Sequence, residues 1–189
     1  MTSTTPILDA LLTRRSLKPK LLQAPAPDMQ TLQLCARTAL RAPNHGNLPV
    51  CRFILIDEAS REKLGELFRA ASLRSGADEE KAARRAGKAL KGPMLVGFII
   101  RRFDGAEAPL DEQLITAGAA LENFLLALQA CGFGAIVLSD SCREDPELKS
   151  ALGIDPDETL CGWITIGTPA SDGQPVPESR PEPLGVWKM

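Results

Sequence analysis

The sequence predicts one α+β domain spanning residues 1–189. Three observations predict it. Helix-like and strand-like segments mix along the chain without the regular strand–helix–strand alternation of a doubly wound sheet. Met94 to Ile100 is a continuous apolar run, as in a strand covered on both faces. Leu110 to Ala130 carries a broad apolar helical surface, as in a central helix.

From the N-terminus, Ile7, Leu8, Leu11 and Leu12 share one face of a short helix that ends near Arg14. Pro19, Pro25 and Pro27 mark an extended link. Asp28 can cap a second helix with Leu32, Cys35, Ala36, Ala39 and Leu40 on its inner face, and Pro43 stops it. Cys51 to Asp57, rich in Phe and Ile, reads as a strand. Ser60 can start a helix carrying Leu64, Leu67, Phe68 and Ala71. Asp78 to Lys91 is helical in pattern, and its charges read as a solvated face until Gly92-Pro93.

Pro109 opens the long helix, where Leu114, Ile115, Gly118, Leu121, Leu125 and Leu128 form the apolar surface. Ala117 to Ala120 are small enough to admit another backbone, within the domain or in a dimer. Gly132 and Gly134 end it before a strand over Ala135 to Ser139. A short helix over Pro146 to Leu152 stops at Gly153, and Leu160 to Gly167 is a further strand. Beyond Thr168 the chain is Pro-rich and polar, with an apolar tip at Leu184, Val186 and Trp187 that would dock on its own domain or on a second subunit.

Composition excludes several classes. A net charge of −2 gives no electrostatic case for nucleic acid or an anionic membrane. No apolar run is long enough to span a bilayer, and residues 1–7 lack the regions of a signal peptide. The five cysteines are widely spaced with no CxxC pair, which suits reduced thiols in a cytoplasmic protein. With one histidine, a single chain cannot build a multi-histidine metal centre, and with no tyrosine it lacks phenol acid chemistry. An enzyme with this inventory would rely on a cofactor for its chemistry.

Two segments point to that cofactor. Arg14-Arg15-Ser16 follows the first helix, and Ala42-Pro43-Asn44-His45-Gly46-Asn47 is a turn-rich loop leading into a strand. Arginine forks and hydroxyls suit phosphate oxygens, and such a loop can present ligand-binding groups. Together they suggest a phosphorylated cofactor. Arg14 and Arg15 would equally suit a helix C-terminus through the macrodipole.

Across nearly its whole length the chain resembles the FMN-dependent nitroreductase family, in particular its small bacterial subgroup. The residues that carry the resemblance are Arg14-Arg15-Ser16, Arg41-Ala42-Pro43-Asn44-His45, Glu112-Gln113, Gly132-Phe133-Gly134-Ala135-Ile136 and Gly167-Thr168-Pro169. It implies a mostly antiparallel mixed sheet flanked by helices, with a C-terminal segment docking on the partner subunit. It also implies a homodimer with FMN at the interface. Arg14, Arg15 and Ser16 would contact the flavin from one subunit, with Ser139 and Lys18, and Arg41 and His45 from the other. NAD(P)H would be the co-substrate and a nitroaromatic, quinone or similar small molecule the acceptor.

The chain departs from the subgroup at Val137-Leu138-Ser139, where Leu138 replaces a basic residue, and at Pro49-Val50-Cys51, where an aromatic is missing. Arg180 is a candidate replacement for the lost cation. These departures keep two other functions open: a flavin-binding protein with little turnover, and a family-shaped structural dimer without FMN.

Overall fold

The protein is described here by a computed structural model covering residues 5–170. Its sheet has five strands: β1 (Leu22–Gln23), β2 (Cys51–Ile56), β3 (Met94–Arg101), β4 (Gly134–Leu138) and β5 (Glu158–Pro169). The strand order is β1-β5-β3-β2, with β4 also paired to β5, and every pairing is antiparallel. Among the described residues six α-helices surround it: α1 (Pro6–Thr13), α2 (Met29–Thr38), α3 (Arg61–Arg74), α4 (Glu79–Ala86), α5 (Leu110–Ala130) and α6 (Pro146–Ala151). The α+β expectation holds.

The alternation of side chains along a strand divides the core in two. Val96 and Phe98 of β3 face α2 and α5, where Phe124 and Leu128 are fully buried. Leu95 and Ile99 face the opposite layer, with Leu64 and Phe68 of α3 and Leu148 of α6. On β5, Leu160 and Trp163 lie on one face although they are three residues apart. The register shift opposite Phe98/Ile99 explains this, since an extra residue at Cys161 resets the alternation.

Asp28 caps α2 as the sequence suggests, Asp78 opens α4 where the helical pattern begins, and Asp145 caps α6. Asp28, Asp78 and Asp145 each accept a hydrogen bond from a first-turn N–H, at 2.7, 2.8 and 2.9 Å. Ser60 makes no such bond; the cap sits earlier, at Asp57, on a 3₁₀ turn over Glu58–Ser60. The helix expected over Asp78 to Lys91 ends at Ala86, and turns carry the chain to Gly92. Leu40, expected on the inner face of α2, is 75% exposed. The helix tightens to 3₁₀ over Ala39–Arg41, which turns Leu40 outward.

Two apolar surfaces have no cover within the described residues. Ile7, Leu8, Leu11 and Leu12 of α1 are all exposed. On α5 the residues facing the core are Gln113, Thr116, Ala117, Ala120, Phe124 and Leu128. Leu114 and Ile115 point outward, and the space above Gly118 is open. The C-terminal tip and Arg180 lie outside the described residues.

Glu158 is the most deeply buried of the described carboxylates, and it has a strong partner. Glu158 is 2% exposed, and Arg52 grips it in a fork at 2.8 and 2.7 Å. The Arg52 guanidinium holds the Glu158 carboxyl down at about 2. A carboxyl that binds protons less readily when folded adds stability above its unfolded pKa. That contribution should be complete above about pH 4.5 and fade as pH falls towards about 2. Urea unfolding between those limits should show a steeper acid loss for the wild type than for Glu158→Gln; equal slopes would refute the assignment.

Candidate functional site

Residues 14–20 run beside β4. The Leu17 N–H donates to the Ala135 carbonyl at 3.0 Å, and Leu17 is buried. Gly134 makes this approach possible, because a Cβ there would lie 2.6 Å from the Leu17 side chain. The docking distributes the candidate residues along the strand. Arg14 and Arg15 line a concavity of about 250 Å³ near its start, beside Gly132 to Ala135. Lys18 lines a larger cavity of about 700 Å³ near its end, together with Ser139. Ser16, between them, is exposed.

The larger cavity has an apolar floor and a basic rim. Phe68, Leu95, Ile136, Leu138 and Trp163 contribute the floor, with Phe68 and Trp163 edge to face at 5.2 Å between centroids. Lys18, Lys20, Arg85, Lys88 and Lys91 supply the cations. Asp140 is the one carboxylate among the lining residues, and it is already engaged. It forms an ion pair with Arg85, accepts the Trp163 indole N–H at 2.9 Å and accepts the Cys142 N–H at 2.8 Å. Burial and the neighbouring Arg85 and Lys91 push the Lys88 ammonium below its ordinary range.

The basic turn is clamped from beneath. Arg61 of α3 is 7% exposed. It donates to the carbonyls of Ala89 and Gly92 at 2.8 Å, Lys91 at 2.9 Å and Pro93 at 3.3 Å. Gly92 takes φ +69°, and a Cβ there would lie 2.2 Å from the Thr165 side chain. A buried guanidinium thus holds the turn that presents Lys88 and Lys91.

Arg41 and His45 lie elsewhere in the chain. Arg41 is exposed and lines a third concavity with Asn44, Asn47, Cys51 and Phe53. The start of α5 fixes their loop: Thr116 donates to the Pro43 carbonyl at 2.8 Å, and Glu112 meets His45 Nδ1 at 2.8 Å. That hydrogen bond raises the His45 pKa above its ordinary value. Gln113, buried beside it, bonds both the N–H and the carbonyl of Phe103. The Glu112-Gln113 pair therefore positions two loops.

The seven candidate residues thus fall into separate places. Arg14 joins Arg15, Lys18 joins Ser139, and Arg41 and His45 stand apart. Arg14 is tied to Glu122 at 2.6 Å, whereas no described carboxylate lies within ion-pair distance of Arg15. The sequence singled out none of Lys20, Arg85, Lys88 and Lys91 for the site; Lys88 and Lys91 are exposed, as a solvated face requires, and Arg85 is drawn inward by Asp140. The three-residue spacing of Arg85, Lys88 and Lys91 was the available signal, since it aligns them on one side of a helix or turn. Cys35 and Cys142 are buried, as small core residues. No group of described residues could hold a metal ion, and no described helix is long and apolar enough to cross a membrane.

Comparison with known proteins gives a consistent picture. A family model described as the Nitroreductase family matches residues 11–168. A curated Haemophilus influenzae protein, named "Putative NAD(P)H nitroreductase", is 34% identical over 163 residues, covering 85% of this chain and 87% of that protein. An Escherichia coli K12 protein, "Putative NAD(P)H nitroreductase YdjA", is 28% identical over 177 residues, covering 92% and 96%. Among solved structures, a nitroreductase-like family protein from Bacillus cereus superposes with a TM-score of 0.77 at 22% identity, covering 96% of this chain and 94% of that one. A Desulfovibrio desulfuricans protein solved as "a putative nitroreductase in complex with fmn" superposes with a TM-score of 0.72 at 24% identity, covering 99% of each.

Proposed function

Because the chain belongs to the nitroreductase family, we propose that it is an FMN-dependent oxidoreductase that uses NAD(P)H. The observation that carries this reading is the cavity at the end of β4, apolar in its floor and basic at its rim, where Lys18 and Ser139 meet. Such a cavity fits a planar aromatic ring bearing anionic groups. Bound there, FMN would supply the redox chemistry that links NAD(P)H to a nitroaromatic, a quinone or a related acceptor.

This chain's own residues bind and orient. Lys18 and its neighbouring cations favour negative charge on a bound ring. Ser139 offers a hydroxyl at the strand end. Arg15 would take the phosphate, joined by Arg14 once it exchanges Glu122 for that stronger anion. Arg41 and His45 of a second subunit would complete the site in a homodimer. The uncovered apolar faces of α1 and α5 support that assembly, with open space at Gly118 allowing close helix approach. His45, kept protonated more readily by Glu112, suits an anionic cofactor.

The purified protein should retain or take up FMN. Its flavin absorbance should bleach under NADPH or NADH and recover when a nitroaromatic or quinone is added. Arg15→Ala should weaken FMN binding by about tenfold or more, through loss of a charge-assisted hydrogen bond. Protein that takes up no added FMN, or flavin that neither nucleotide bleaches, would overturn the oxidoreductase reading.

A further inference from the structure

Behind the rim of the larger cavity lies a second concavity of about 490 Å³, and the two share Arg85, Lys88 and Lys91 as a common ridge. Lys81 and Arg84 line its far side, with the hydroxyls of Ser75 and Ser141. No carboxylate lines it. Five cations converge here in a chain whose net charge is −2.

The existing pairings leave this charge largely uncompensated. Arg85 is committed to Asp140. Lys81 meets Asp78 and Arg84 meets Glu80, each at 3.2 Å and each exposed. Such surface pairs contribute only about 0–1 kcal/mol and give way readily to a stronger anion. Lys88 and Lys91 have no described carboxylate within ion-pair distance. Burial and then repulsion from Arg85 and Lys91 already disfavour the Lys88 charge, a cost that a bound anion offsets. The Arg61 clamp fixes the turn carrying both lysines, so little ordering is needed on binding.

We propose that this groove docks the phosphate-bearing adenosine half of the dinucleotide donor and selects NADPH over NADH through the 2′-phosphate. The proposal rests on the neighbouring cavity being the flavin site. A ligand that crosses the shared ridge has its nicotinamide end over the cavity and its anionic end among the cations. NADPH and NADH differ by one phosphomonoester, a dianion near neutral pH and the group that an uncompensated lysine pair distinguishes best.

The test uses nucleotide fragments and the full chain. In calorimetric titration, adenosine 2′,5′-bisphosphate should bind about tenfold tighter than adenosine 5′-monophosphate. The double variant K81Q/R84Q, altered at two exposed side chains that line this groove and not the flavin cavity, should lose most of that difference while keeping the wild-type melting temperature. In steady-state assays the variant's KM for NADPH should rise about tenfold, and its KM for NADH should change by less than about twofold. Equal binding of the two fragments by the wild type would overturn the proposal, as would a difference that survives the substitutions. A protein that takes up no flavin yet still discriminates the fragments would refute the cavity reading and leave the phosphate-binding groove in place.

Discussion

Replacing Arg61 by alanine should lower the unfolding free energy by about 3–5 kcal/mol. The guanidinium is buried and satisfies the carbonyls of Ala89, Lys91, Gly92 and Pro93. Its removal leaves those acceptors without partners in a site with little access to water, at about 1–3 kcal/mol for each one that stays unsatisfied. Relaxation of the turn recovers part of this, so the total falls short of the sum. Lysine should rescue only partly, because an ammonium cannot span four carbonyls with a planar fork. Urea denaturation of wild type, Arg61→Ala and Arg61→Lys checks the ranking. A loss below about 1 kcal/mol in the alanine variant would show that the turn holds itself.

Asp140→Ala should cost a similar amount, about 3–5 kcal/mol. The substitution strands the Arg85 charge, whose side chain is 11% exposed, and leaves the Trp163 indole N–H without its acceptor. Arg85 already has one buried nitrogen, Nε, with no partner, so it has little capacity to compensate. Asp140→Asn keeps an acceptor for the indole but removes the charge, and should fall between wild type and alanine. Denaturant unfolding of the three proteins separates the two contributions. If asparagine and alanine are equally destabilising, the ion pair dominates; if asparagine matches wild type, the indole hydrogen bond dominates. Either site also shapes the larger cavity, since Arg85 and Asp140 line it.

Much of the fold was legible because local chemistry and tertiary packing agree. Asp28 and Asp78 announce helix starts and act as their caps. The apolar run in β3 marks a strand covered on both faces, and its alternate side chains enter two core layers. The misreadings fall where packing overrides local pattern. Leu40 fits a helical inner face until the chain tightens into a 3₁₀ turn. The two-residue strand β1 has no signal of its own and exists only through pairing with Thr168 and Pro169. Leu160 and Trp163 share a face only because of the bulge between them.

The site divides in the same way. The sequence by itself determined the inventory: arginines and a serine after α1, one histidine in a turn-rich loop, and too little acid–base chemistry to act without a cofactor. It also determined the helix and strand character of the segments that carry them, because capping, periodicity and apolar runs are local properties. Tertiary structure alone decided which of these residues meet. It gave Arg14 to Glu122, left Arg15 without a described carboxylate, and brought Lys18 and Ser139 to one cavity along one strand edge, through the Leu17 N–H and Ala135 carbonyl. It also gathered Arg85 of α4 and Lys88 and Lys91 of the following turn along one cavity. The physical reason is range: backbone propensities act over a few residues, whereas charge compensation and cavity shape depend on groups more than fifty positions apart, such as Arg85 and Asp140.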